Sequence, residues 1–305
     1  MLHDSRYMNI IGRKYIFLTF SGLLVLASFV SLGIWGLHFG IDFTGGSLIE
    51  ISYQASRPPV ELVREQFTRA GVDSATIQFS GEQNVIARFR DVDESTHQKL
   101  VQGLGSLGAM QEKRFDAIGP TIGAQFQRRA LLALALALAG IVLYLTWAFR
   151  QVSRPLASWK YGTVAVAVAL FHDIVIPVGV FSVLGHYFGA EVDTLFITAL
   201  LTILGFSVHD TIVVFDRTRE NLRMQKSTES FAATVNKSVN ETITRSIMTS
   251  LTVFLVLAAI LFLGGATTKY FALALMLGVV FGTYSSIFVA SPLLVIWDNW
   301  HRRWV

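Results

Sequence analysis

The stretch LLTILGFSVHDTIVVFDRTREN, residues 200–221, opens as an apolar run, and it carries His209 and Asp210 before that run ends at Phe215. Apolar runs of about 20 residues cross a bilayer as helices. A charged group at the centre of such a helix costs roughly 2.5–3.5 kcal/mol on insertion scales, so ionisable residues inside spans are functional candidates by default. Read this way, the segment is a membrane span built around a titratable group, and the remaining sequence is interpreted outward from it.

Of the 305 residues, 52% are hydrophobic and 15% charged, against about 25% charged in typical soluble domains. Cysteine is absent, which excludes disulfides, thiolate metal sites and cysteine nucleophiles. Segments 16–36, 130–149, 162–184, 195–215, 247–263 and 271–296 are long and apolar enough to cross a membrane. The first is too long for a signal peptide and no small-residue cleavage site follows it, so it reads as an uncleaved span.

Positive residues fix the orientation. Arg6, Arg13 and Lys14 precede the first span, and Arg150, Arg154 and Lys160 follow the second. Arg217, Arg219, Arg223, Lys226, Lys237 and Arg245 follow the fourth, and Arg302 and Arg303 close the chain. The loop after the third span has Glu191 and Asp193 without Lys or Arg, and the loop after the fifth has only Lys269. Both termini are therefore expected in the cytoplasm. The expected organisation is a cytoplasmic tail and first span at 1–36, an external domain at 37–129, and five further spans with cytoplasmic loops at 130–305.

The external segment has soluble-protein patterning. GGSLIEISY places Ile49, Ile51 and Tyr53 on one strand face, and PPVELVREQFTRAG repeats Leu62, Val63 and Phe67 at helical spacing before Gly71. ATIQFSG and NVIARFRD alternate about a turn, STHQKLVQGLGSLG reads as a second helix, and MQEKRFDAI as a last strand. The order βαββαβ is the ferredoxin-like arrangement, a fold that hosts many functions and supports no activity by itself. Gly45 and Gly46 lie at the first junction with the membrane part, and Gly119 and Pro120 at the second. Glycines open backbone angles closed to other residues, so these are candidate hinges; ordinary turns at a domain boundary are the alternative.

Three polar sites lie in the apolar segments. His172 and Asp173 sit about 16 Å into the third span, and Asp210 about 8 Å from the cytoplasmic edge of the fourth. Arg245 stands at the mouth of the fifth span, at a depth close to that of Asp210. Burial favours the neutral acid and a facing guanidinium favours the carboxylate; opposed pushes of this kind make a proton site. The alternatives are a buried hydrogen-bonding partner for Asp210 and a membrane anchor for Arg245. Neighbouring His and Asp residues point about 100° apart on a helix, which is poor geometry for shared metal ligation, so no metal is expected. No H-E-x-x-H or G-x-S-x-G motif argues for an enzyme. Gly278, Gly282, Ser286 and Ala290 form a small-residue stripe suited to close helix packing. Phe231, Val235 and Val239 suggest an amphipathic connection lying along the membrane surface.

IDFTGGSLIEI, LFHDIVIPVGVFSVLG, TALLTILGFSVHDTIVVFDRTREN and VNKSVNETITRSIMTSLTVFLVLAAILFLGG resemble, in order along nearly the whole chain, the SecD/SecF family of bacterial protein-export membrane proteins. The resemblance implies a six-span member of the resistance-nodulation-division superfamily, completed to a twelve-span unit by SecD. It implies a role in the bacterial cytoplasmic membrane beside the SecYEG channel and the SecA ATPase, drawing unfolded exported polypeptide outward with the proton-motive force. Its implied partners are those proteins, the client chain and membrane lipid, with no nucleic acid and no cofactor. It places the proton-relay carboxylate on Asp210 and its arginine on Arg245. Where the family usually has asparagine before that carboxylate, this chain has His209, a second titratable group in the relay. Asp173, His172 and Asp216 are second-tier candidates. Two rival readings are a half-transporter for small molecules or lipids, for which about 90 external residues leave little room for an enclosed pocket, and a structural stabiliser of the translocon.

Overall fold

The computed structural model of the chain describes residues 8–148, 168–224 and 229–302. Arg6, the loop carrying Arg150, Arg154 and Lys160, residues 162–167 of the expected third span, Lys226 and Arg303 lie outside the described residues. Six described helices are long and apolar enough to cross a membrane: Ile11–Trp35, Pro120–Ala148, Val168–Phe188, Thr194–Met224, Phe231–Leu263 and Thr268–Trp300. They are numbered spans 1 to 6 below. The chain divides into two compact units, one of residues 39–132 with 192–194, the other of the remaining residues.

The first unit is α+β. Strand β1 (Gly46–Tyr53) is followed by helix Val60–Arg69, β2 (Thr76–Ser80), β3 (Asn84–Phe89), helix Glu94–Gly105 and β4 (Met110–Ile118). The sheet is antiparallel in the order β2-β3-β1-β4, which is the ferredoxin-like arrangement. Period-two alternation sends Ile49, Ile51 and Tyr53 to one face with Val85, Ala87 and Phe89, where Val63, Phe67, Leu100 and Leu104 of the two helices cover them. Leu62 departs from expectation: it is exposed, and the helix buries Val63, Gln66 and Phe67 instead. That trio spaced i, i+3, i+4 is the single stripe a short helix can turn to a sheet.

Local geometry demands glycine at the start of β1. Gly45 and Gly46 have φ of +74° and +128°, and a Cβ on Gly46 would stand 2.7 Å from the Phe89 carbonyl oxygen. A Cβ on Gly45 would stand 2.8 Å from Pro120 Cα, whereas Gly119 has open space around it. Gly46→Ala is expected to destabilise this unit by about 1–3 kcal/mol through backbone strain, lowering its thermal unfolding midpoint in the purified full chain. An unchanged midpoint would contradict this close packing.

In the membrane unit, spans 3, 4 and 6 form the interior. Between 50% and 61% of their most apolar windows is buried, against 6% to 17% for spans 1, 2 and 5. Span 6 lies against span 4 in one register: Gly278 meets Ile203, Gly282 approaches Ser207 with only 3.1 Å for an added Cβ, and the Ser286 and Thr211 hydroxyls are 3.0 Å apart. Steps of four on both helices keep the small-residue stripe of span 6 on the same neighbour, so the stripe packs within this chain.

Span 5 corrects the expected surface-lying connection. Phe231–Leu263 is one helix, and Phe231, Val235 and Val239 are buried in a cluster with Val214 and Phe215 of span 4. Alongside that apolar stripe, Asn221 Nδ2 donates to Ser238 Oγ at 2.9 Å and to Glu241 Oε2 at 2.8 Å, and Arg217 Nε donates to Glu241 at 2.6 Å. The apolar stripe is satisfied by the extended end of span 4, which leaves it nothing to bury against lipid.

Candidate functional site

Three carboxylates of the membrane unit are buried among the described residues, Asp173, Asp210 and Asp298 near the end of span 6; hydroxyl groups of neighbouring spans hold the first two. Asp210 of span 4 is 2% exposed. Its Oδ2 accepts from Thr283 Oγ1 of span 6 at 2.9 Å, and Thr283 is hydrogen-bonded in turn to Ser250 of span 5. The buried Ser246 hydroxyl of span 5 makes no hydrogen bond of normal geometry, though it lies within reach of the Asp210 carboxyl. Asp173 of span 3 is fully buried. Its Oδ1 is 2.9 Å from His172 Nδ1, while its Oδ2 accepts from Ser285 Oγ of span 6 at 2.8 Å and from Ser207 Oγ of span 4.

These contacts correct the separate depths expected from spacing. Ser207, which binds Asp173, precedes Asp210 by one helical turn, and Ser285 lies two residues from Thr283, which binds Asp210. The carboxylates therefore share one layer, gripped by the same two helices. Span 4 continues as a helix to Met224, past the end of its apolar run at Phe215, so distance from the end of that run is not depth.

The structure does not bring Arg245 to Asp210. Arg245 is exposed on span 5, beside the buried Ser246, and forms no ion pair with a described residue. His209 is also exposed, within electrostatic reach of Asp210. Asp216 sits at the surface, 3.5 Å from Arg219. Neither Asp173 nor Asp210 is paired with a Lys or Arg among the described residues. Among the described residues, no group of three or more His, Cys, Asp or Glu is gathered for a metal ion.

The span 5 motif VNKSVNETITRS has a structural use that its sequence pattern did not reveal. Asn236 and Asn240 clasp the chain before span 1: Asn236 Oδ1 accepts from the Ile10 and Ile11 amides at 3.0 and 3.1 Å, and Asn240 Oδ1 accepts from the Met8 amide at 2.8 Å. Both side-chain amides donate to the Met8 carbonyl. Asn four residues apart share a helix face, which was the only available hint. Asn236→Ala should speed hydrogen exchange at the Ile10 and Ile11 amides of the purified chain by about tenfold, the equivalent of about 1.4 kcal/mol. Unaltered protection would show that the clasp contributes nothing.

Comparison with known proteins gives a consistent result. Residues 97–300 match the family described as protein export membrane protein SecD/SecF, C-terminal, and residues 30–56, which include Gly45 and Gly46, match the SecD/SecF GG motif. A protein translocase subunit SecF from Thermobaculum terrenum is 43% identical across 96% of this chain and 94% of its own length. One from Anaerolinea thermophila is 38% identical across 97% of each. The crystal structure of SecDF, a translocon-associated membrane protein from Thermus thermophilus, superposes with a TM-score of 0.84 at 33% identity, covering 98% of this chain and 40% of that one. SecDF in a super-membrane-facing form gives 0.67 at the same identity, covering 97% of this chain and 39% of that one. This chain spans about two fifths of the solved SecDF chains.

Proposed function

This chain belongs to the SecD/SecF family of protein-export membrane proteins, and from that premise we propose that it is the SecF half of a SecDF complex that converts proton movement into assistance for late protein export. The observation that carries this reading is Asp210: a carboxyl buried between apolar helices, held by a hydroxyl and paired with no Lys or Arg among the described residues. Its missing counter-charge is supplied on assembly. Thr198, Thr202, Gly205, His209 and Asp216 form an exposed stripe along span 4, and Arg245 is exposed on span 5. Lipid is a poor neighbour for such groups, so this face suits a polar partner helix, and SecD is the partner that the relatives' names suggest. Docking there would desolvate His209 next to Asp210 and bring a partner group to complete the relay.

The distribution of Lys and Arg supports cytoplasmic termini in a bacterial inner membrane, with the α+β unit outside. In that position the unit meets emerging client polypeptide from SecYEG and SecA, and changes position as protons load and leave. Two solved SecDF forms to which the chain is unequally similar are compatible with such alternation. Energetics limit the stroke. One charge crossing 100 mV yields about 2.3 kcal/mol, and a swing from 1:99 to 99:1 needs about 5.5 kcal/mol. One or two protons per cycle bias a domain between two positions, but unfolding a stable client takes about 5–15 kcal/mol. The complex therefore acts on chain that is already unfolded.

The test is export into vesicles containing SecYEG, with SecA present. Adding this chain with its SecD-like partner should speed completion of export only while a proton gradient is maintained. Equal stimulation after the gradient is collapsed would refute proton coupling and favour a structural stabiliser.

A further inference from the structure

The relay reading uses Asp210 and leaves Asp173, the most deeply buried carboxylate, unexplained. Asp173 ties three spans together through His172, Ser207 and Ser285. A dyad kept only for packing would have both ring nitrogens of its histidine satisfied. His172 is 2% exposed, and its Nε2 makes no hydrogen bond with any described residue. The ring lies between Tyr284, stacked at 6.0 Å, and Phe281, edge-on at 6.2 Å.

The backbone around the dyad is also irregular. Residues 168–170 form a π turn just before it, and Pro177 lacks the N–H that would bond the Asp173 carbonyl. On span 6, a π turn at Ser286–Ala290 begins immediately after Ser285. Such turns inside helices cluster at functional sites, and here both border the groups that hold Asp173.

We propose that His172 and Asp173 form a second proton-exchange station, coupled to Asp210 through spans 4 and 6; this rests on the relay reading above. A proton arriving at Nε2 makes the ring an imidazolium. The Nδ1 proton then passes to Asp173 Oδ1, leaving a neutral ring protonated on Nε2 and a neutral acid. One proton has moved, and only N–H and O–H bonds have changed. Reversal returns it. Ser207 and Ser285 donate to the ionised carboxylate and lose part of that interaction when it is neutralised. Ser207 shares a helix face with Asp210, and Ser285 shares a turn with Thr283, so loading one carboxyl alters the hold on the other.

The test combines infrared titration of the purified full chain in lipid with proton flux through vesicles holding it and its SecD-like partner. In the Asp210→Asn chain, a carboxylic-acid C=O band should persist and shift on transfer to heavy water. His172→Gln should displace that band, and Asp173→Asn should remove it. Flux should fall about a hundredfold in Asp173→Asn, the scale of a lost proton-transfer group, and measurably in His172→Gln, which keeps a donor towards Asp173 and so preserves packing. Should Asp173→Asn fail to reach the membrane, His172→Gln decides alone. Full flux in these variants while Asp210→Asn is inactive, or an infrared band indifferent to His172, would overturn the second station. Full flux in Asp210→Asn would instead overturn the relay reading itself.

Discussion

Asp210→Asn should return late export to the level seen without the complex, while the chain still folds and still associates with its partner. Asparagine has nearly the shape of the acid and can accept from Thr283 as Asp210 does at 2.9 Å, so packing between spans 4 and 6 is kept. It cannot exchange a proton, however. The lost drive is about 2.3 kcal/mol per charge per 100 mV, roughly a fortyfold bias between two conformations. Because Asn leaves the interface intact, a drop in co-purified partner would point to a scaffolding role for Asp210. Completion times of an exported precursor, measured with and without an ionophore, give the answer.

The second large effect is expected at Gly278. A Cβ there would collide with Ile203, and interiors close-packed by small residues have no slack to absorb it. Gly278→Leu should force spans 4 and 6 apart at a cost of about 1–3 kcal/mol or more, breaking the Ser286–Thr211 and Ser285–Asp173 contacts in the turns below. The purified protein should melt earlier, and export assistance should disappear with the fold. Shrinking the neighbour is the control: Ile203→Ala should recover much of the stability lost by Gly278→Ala, a coupling expected only of residues in direct contact. Simple additivity of the two changes would contradict the register described here. Together the two sites separate motor from scaffold, since Asp210→Asn removes function alone and Gly278→Leu removes both.

Much of this architecture was legible in the sequence because its signals are strong. Apolar runs of bilayer length and strand alternation such as Ile49, Ile51 and Tyr53 come directly from solvent preference, and Pro58, Pro59, Gly71, Gly81 and Gly108 mark turns of the α+β unit. Asp173 and Asp210 stood out because carboxylates are costly in hydrocarbon. Relations between helices were not legible. Nothing in the local pattern places Ser207 and Ser285 on one carboxylate, and hydroxyls in helices usually bond their own backbone, as Thr218 does with Val214. Phe231, Val235 and Val239 form the same pattern whether they face lipid headgroups or a neighbouring helix, so the pattern alone does not place them. Spacing along the chain gives Arg245 a depth close to that of Asp210 but not its azimuth, and on span 5 the side chain is exposed while Ser246 is buried, as two neighbours on a helix differ by about 100°.

The account stands on proton exchange at Asp210, and the most direct measurement is flux. Vesicles loaded with a pH-sensitive dye and holding the chain with its SecD-like partner are given an imposed potential, inside negative or inside positive. The wild-type complex should change internal pH well above the leak of empty vesicles, and Asp210→Asn at equal protein density should match the empty vesicles. Equal flux from the two proteins would contradict the account.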